Sequence, residues 1–171
     1  MSSPSFFRKR GIYWLIRIAI ISLILLWISY LKEGGTELYQ DVHGAINWYW
    51  ELQDSIPTAK KFVDASMKKF NLPPGDYGAY SYSGVLEVAR GTELAKSTDA
   101  EAVANALRKS PTYDHFKGKQ WWRACDNKSF QDLWIVKGRD KVKGDWVLMD
   151  IVTKVGANEE YDRTCSEKGF A

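Results

Sequence analysis

Few side chains in this 171-residue sequence could do covalent or metal chemistry. There are two cysteines and two histidines, too few for most zinc, haem or iron–sulfur sites. Cys125 lies ten residues after His115, a spacing that invites a thiolate nucleophile with an imidazole base. No third group stands where it would orient that imidazole, and Cys165 offers Cys125 a disulfide partner. His43 has Asn47 four residues on and no second histidine near it, which describes a surface or partly buried histidine better than a ligand. The acidic groups Asp140, Asp145, Asp150, Glu159, Glu160 and Asp162 are scattered, and Asn158 to Asp162 lacks the alternating oxygens and turn glycine of a calcium loop. Dinucleotide, Walker, nucleophile-elbow and zincin motifs are absent. No catalytic, cofactor-binding or metal-ligating set is assigned, and neither a cofactor nor an enzymatic activity is expected.

The elements that would carry these residues divide the chain by composition. Residues 1–31 hold Arg8, Lys9, Arg10 and Arg17 and no acidic group, so the remaining 140 residues carry 20 basic against 21 acidic side chains. The net charge of +3 and the pI near 8.7 therefore belong to the N-terminus. Nucleic-acid binding, which needs a sustained basic patch, is excluded.

Ile12 to Leu31 is a run of 20 residues with Arg17 as its one charge, and at about 1.5 Å per residue a helix of that length spans the hydrocarbon core of a bilayer. Tyr13 and Trp14 near its start and Trp27 and Tyr30 near its end match the interfacial aromatic belts, and Arg17 is close enough to one end to reach the headgroups. Together these five residues read as a membrane anchor in contact with lipid. The basic flank Arg8-Lys9-Arg10 holds the N-terminus in the cytoplasm, and no small-residue cleavage site follows. The expectation is an uncleaved signal anchor in a bacterial inner membrane, single-pass, with the C-terminal region periplasmic. In that compartment Cys125 and Cys165 can form a disulfide, whose loop of roughly 40 residues would contribute about 3.5–4 kcal/mol by chain entropy.

Beyond the anchor, Leu38, Val42, Ala45, Ile46, Tyr49 and Leu52 suggest a helix, ended by Pro57, and a second helix follows from Thr58 to Phe70. Val85 to Arg90 reads as a strand. A helix opens at Ser97 to Glu101, where Thr98 and Glu101 fit a capping box, and stops before Pro111. Gln120 to Cys125, Phe130 to Lys137 and Asp145 to Thr153 read as three strands of an antiparallel meander. The predicted architecture is α+β: a cytoplasmic tail over 1–11, a transmembrane helix over 12–31, juxtamembrane helices over 32–75 and a β-α-β-β-β domain over 76–171.

Two aromatic groups exceed what such a domain needs for its core. Trp48, Tyr49 and Trp50 are adjacent and cannot share one helix face. Trp121 and Trp122 point to opposite faces of a strand and are flanked by Lys117, Lys119 and Arg123. Tryptophan and arginine are over-represented among interface anchors, so Trp48, Trp50, Trp121, Trp122 and Arg123 read as partner-binding. The expected role is a structural or accessory subunit of a larger membrane complex, in contact with its other subunits.

Two alternatives remain: a periplasmic module binding glycan, lipid or protein through Trp122 and its cations, and a pilin-like subunit. The second rests on a resemblance. Arg8-Lys9-Arg10-Gly11 before an apolar helix resembles a type IV prepilin leader, and a later antiparallel sheet with two late cysteines is similar to pilins, which implies processing after Gly11. At the position where pilins usually carry a glutamate, this sequence has Ile16.

Overall fold

The computed structural model describes residues 28–34, 39–139, 144–160 and 162–170. They form two compact units that interleave along the chain: Met1–Ile46 with Trp134–Thr153, and Asn47–Leu133 with Lys154–Ala171. The expected boundary at 75/76 falls inside the second unit.

The first unit holds a short helix α1 (Ile28–Gly34) and a three-stranded sheet of β1 (His43–Ile46), β5 (Leu133–Gly138) and β6 (Met149–Val155), with β5 in the middle. β1 pairs antiparallel with β5, His43 opposite Lys137 and Ile46 opposite Trp134. Its core is Val42, Ile46, Val136, Leu148 and Met149, joined by Ile28 and Leu31 of α1. Gly138 is required here, because a Cβ would run into the Tyr39 carbonyl. At this turn the Gly138 amide donates to Val42 O at 2.9 Å.

The second unit holds α2 (Pro57–Phe70), α3 (Asp76–Ala95) and α4 (Ala100–Lys109), and a sheet of β2 (Tyr113–His115), β3 (Gly118–Trp122) and β4 (Ser129–Gln131). Both pairings of that sheet are antiparallel. Pro57 occupies the first turn of α2, where its missing N–H costs nothing. Asn71 ends the helix in the left-handed region, its amide bonded to Met67 O. α4 is capped by Asp99, whose carboxylate accepts the Ala102 amide at 2.9 Å. The cap therefore falls one residue after the expected Thr98. Gly91 lets α4 lie close to α3, since a Cβ there would sit 2.8 Å from Val103. Trp48, Tyr49, Leu52, Ala59, Val63, Ala79, Phe116 and Phe130 form the core of this unit.

Several expectations are corrected. The helix foreseen over Leu38 to Leu52 is instead β1 followed by a 3-10 turn over Trp50–Asp54, because β1 pairs with β5 and sheet pairing outweighs the helical spacing. Val85 to Arg90 is not a strand but the middle of the 20-residue α3. That helix buries Asp76, Ala79, Ser83, Glu87 and Gly91 at helical spacing and leaves Tyr77, Val85 and Val88 more than half exposed. Its buried face is polar and small, so a reading keyed to apolar residues follows the wrong face. The meander is replaced by two separate sheets, because the run from Phe130 to Lys137 breaks at Asp132 into β4 and β5.

The β-α-β-β-β order is thus not observed. Among the described residues no helix is long and apolar enough to cross a membrane. Residues 1–27, and with them Tyr13, Trp14, Arg17 and Trp27, lie outside the described residues, as does the Tyr30 side chain. The end of the apolar run is described: Ile28 and Leu31 are 3% and 2% exposed, packed in a protein core.

Candidate functional site

One helical turn separates Glu87 and Arg90 on α3, which puts both on the same side. β2 and β3 bring Tyr113 and Trp122 to meet them. Glu87 accepts from Arg90 Nε at 3.1 Å and Nη2 at 2.9 Å, from Trp122 Nε1 at 2.7 Å, and from the Tyr113 hydroxyl. The guanidinium carbon of Arg90 lies 3.8 Å over the Tyr113 ring, so the plane of the arginine is fixed by a bidentate pair and a stacking face together. Burial alone would raise the Glu87 carboxyl, but the Arg90, Tyr113 and Trp122 donors outweigh it and hold it below its usual value. Burial and the neighbouring Glu87 raise the Tyr113 phenol.

Arg90 and Glu87 lie at the wall of a cleft of about 440 Å3 enclosed by α2, α3 and β2. Its apolar lining includes Phe62, Tyr82, Leu86, Ala89 and Phe116. Phe62 and Tyr82 are stacked with centroids 4.5 Å apart and planes 2° apart. Thr58, Lys61, Glu93 and Asp114 add polar groups. Concave, mostly apolar sites with a few placed polar groups suit small molecules, and a fixed guanidinium suits a carboxylate. Among the described residues no group of histidine, cysteine and carboxylate side chains could hold a metal ion.

His115 sits beside this network, 5% exposed. Its Nδ1 accepts the Lys117 backbone amide at 3.3 Å, which places the ring proton on Nε2, and that nitrogen donates to Ser83 Oγ at 3.2 Å. The serine is an acceptor in this pair, an arrangement that does not activate a nucleophile. Burial pushes the His115 imidazole down to about 4, with Lys117 and Arg90 acting in the same direction and Glu87 opposing. Burial likewise lowers Lys117, to about 8 against the pull of Glu87.

An acid-stability prediction follows for His115. As the pH falls below 6.5, the unfolded chain protonates this group first, so stability present above 6.5 is lost progressively down to about 4. Urea midpoints of the parent and His115→Gln chains, taken at about pH 7 and about pH 5, should show the parent losing roughly 2 kcal/mol more than the variant. Equal losses would contradict the assignment.

Cys125 is joined to Cys165 in a disulfide with a Cα–Cα distance of 6.1 Å, so no thiol faces His115. The residues expected to bind partners find contacts within their own unit. Trp48 is 1% exposed; its Nε1 donates to Pro74 O at 2.9 Å and its ring meets Phe62 and Phe116. Trp50 is half-buried, its ring edge-on to Tyr49. Trp121 stacks on Phe130 and donates to Ala157 O at 3.2 Å, while Trp122 points to the other face and holds Glu87. Arg123, 4% exposed, pairs with Asp126 and Asp162. Their burial needs no partner, which corrects the expectation for Trp48 and Arg123 in particular. Glu87, Arg90 and Tyr113 were not singled out from sequence. The available signal was Glu87 and Arg90 three residues apart, and it is visible only when the segment is read as a helix.

Comparison with known proteins accounts for the apolar N-terminus. The sequence matches the periplasmic binding protein family over residues 8–143, a range that takes in the whole segment read as a membrane anchor. No curated protein matches it. Among solved structures it is similar to an amino acid ABC transporter substrate-binding protein from Pseudomonas fluorescens, at 18% identity and a TM-score of 0.72 over 84% of this chain and 37% of that one. It is also similar to an ABC-type branched-chain amino acid transporter from Rhodopseudomonas palustris, at 25% identity and a TM-score of 0.62 over 76% and 33%. A third similar structure, from the same species, is a solute binding protein of an ABC transporter in complex with 3,4-dihydroxybenzoic acid, at 21% identity and a TM-score of 0.63 over 77% and 35%. The chain thus spans about a third of the length of these structures and shares their fold over most of its own. By their descriptions two of these are binding proteins of ABC transporters and one is an ABC-type transporter. The single-pass inner-membrane anchor and the α+β architecture built on it are overturned, because the family's own domain runs through residues 12–31. The family match fits the ligand-binding alternative better than the membrane-complex subunit. This chain belongs to the periplasmic binding protein family.

Proposed function

We propose that the chain serves solute capture for an ABC transporter, and that the cleft of the second unit takes a small carboxylate-bearing molecule of the amino-acid class. Family membership over residues 8–143 carries this reading. The amino-acid class is supported by the descriptions of two similar structures and by an arginine held flat at the cleft wall beside apolar rings. Arg90 reads the carboxylate, Phe62, Tyr82 and Phe116 cover the apolar part, and Lys61 and Glu93 at the rim meet charged substituents. The membrane components of the transporter are the partners, and nucleic acid is not among them.

The stacked Phe62–Tyr82 pair favours a second ligand within the same chemistry, an aromatic carboxylate like the dihydroxybenzoate bound by one similar structure. Thermal unfolding with a panel of L-amino acids and 3,4-dihydroxybenzoate tests both. A binder at about 100 times its Kd adds roughly 2.7 kcal/mol to stability and raises Tm accordingly. Arg90→Lys keeps the charge but not the bidentate pair with Glu87 that fixes the side chain at the cleft wall, and should weaken binding about tenfold or more. No response to any compound, or equal affinity in the lysine variant, sinks the proposal.

A further inference from the structure

We infer that the C-terminal segment of the second unit is a strap that holds the cleft's hairpin wall in position, with Asp132 as the positioning residue between the two. The segment is fastened near one end by the Cys125–Cys165 disulfide. Charged contacts reinforce the fastening: Arg123 donates to Asp162 at 2.6 Å and to Arg163 O at 3.2 Å, and Lys168 donates to Asp126 at 3.0 Å. At the other end Ala157 is held twice. Its carbonyl accepts from Trp121 Nε1, and its amide donates to Asp132 Oδ1 at 3.1 Å. The second oxygen of the same carboxylate accepts the Lys119 amide at 2.9 Å.

Lys119 belongs to the hairpin that walls the cleft. β2 and β3 meet at His115 opposite Gly118, so Phe116 and Lys117 form the turn. His115 and Phe116 line the cleft, and Lys117, 4% exposed, lies by the Tyr80 ring. Gly118 has φ +114° and no room for a Cβ beside the Asp132 carboxylate. A continuous path therefore runs from Ala157 through Asp132 to the hairpin turn. Asp132 is 3% exposed. An apolar residue of similar size would fill that space without the desolvation cost of a carboxylate, whereas the carboxylate turns one oxygen to the strap amide and the other to the hairpin amide.

Hydrogen exchange of the whole chain tests the link, and binding of the amino-acid panel tests the reading of the cleft on which its functional meaning rests. Replacing the disulfide by Cys125→Ser with Cys165→Ser should speed exchange of the Lys119 amide about tenfold or more. Asparagine puts an NH2 donor where one of the two oxygens stands, facing an amide that also donates, so in this geometry it cannot keep both bonds. In an Asp132→Asn background the same cysteine changes should therefore alter Lys119 by less than about twofold, the loss of coupling expected when the link is already cut. A role of Asp132 in stability alone would leave the disulfide effect unchanged in that background. Faster exchange confined to residues 156–170, or an equal effect in the asparagine chain, overturns the inference. Should the serine pair not fold, Asp132→Asn with its disulfide intact decides. One of the amides of Lys119 and Ala157 must lose protection together with residues 116–118, and unchanged exchange there overturns the link. If the link holds while no compound binds, the reading of the cleft is what fails.

Discussion

Replacing Glu87 with alanine will destabilise the second unit by about 3 kcal/mol, the range for removing one partner of a buried ion pair. The Glu87 side chain is 8% exposed and that of Arg90 23%, so the guanidinium left behind is largely without water to replace its partner. The loss extends beyond Arg90. The Tyr113 hydroxyl and the Trp122 indole both donate to the same carboxylate, and the cost of leaving these two part-buried donors unsatisfied is contained in that figure. Urea unfolding followed by tryptophan fluorescence reads the effect as a lower midpoint. Glu87→Gln keeps an acceptor oxygen for one donor but turns an amide N–H toward Arg90, and should recover less than half of the loss. An alanine chain within about 1 kcal/mol of the parent would mean that the network carries no net stability. The pH response has a defined sign. The carboxyl of Glu87 is held below its usual value when folded, so its contribution is present above the ordinary carboxylate range and is lost as the pH falls through the folded value.

Gly118→Ala will cost a similar amount, about 3 kcal/mol. Two effects add: a φ of +114°, which L side chains rarely adopt, and overlap of the new Cβ with the Asp132 carboxylate. Because that carboxylate holds the Lys119 and Ala157 amides, the clash cannot be relieved by swinging the side chain aside without breaking both. The contrast lies in α3, where a Cβ at Gly78 or Gly84 meets nothing within 4 Å. Alanine at either should stabilise the helix by roughly 0.5–1 kcal/mol, since glycine carries the larger entropy loss on folding. Thermal denaturation of the three variants in parallel checks the sign of each. A neutral Gly118→Ala would show that the turn can adopt another conformation.

α3 shows why sequence reading reached only part of the site. The apolar and β-branched residues Val85, Leu86 and Val88 suggest a strand when taken by type. In the folded chain Val85 and Val88 are 70% and 62% exposed, while Glu87, the charge between them, is 6% exposed. Burial of Glu87 depends on donors from β2 and β3, 26 and 35 residues away in sequence. No local pattern carries that information. The apolar run at the N-terminus misled for a related reason. Length and hydropathy describe a stretch that must leave water, but they do not distinguish lipid from a protein interior. At Ile28 and Leu31, where the run's end can be followed, the interior is protein.

Sequence alone determined the features whose causes are local or covalent. The stop of α4 before Pro111 and the opposed indoles of Trp121 and Trp122 follow from backbone geometry and strand alternation, while for Cys125 and Cys165 the sequence offered a pairing that the folded chain then makes. Tertiary structure alone decided which charged groups are buried, that Asp132 splits one expected strand into two, and that Arg90 faces a cleft. A buried charge is tolerated only where several distant donors converge on it, and that convergence exists only once the chain has folded.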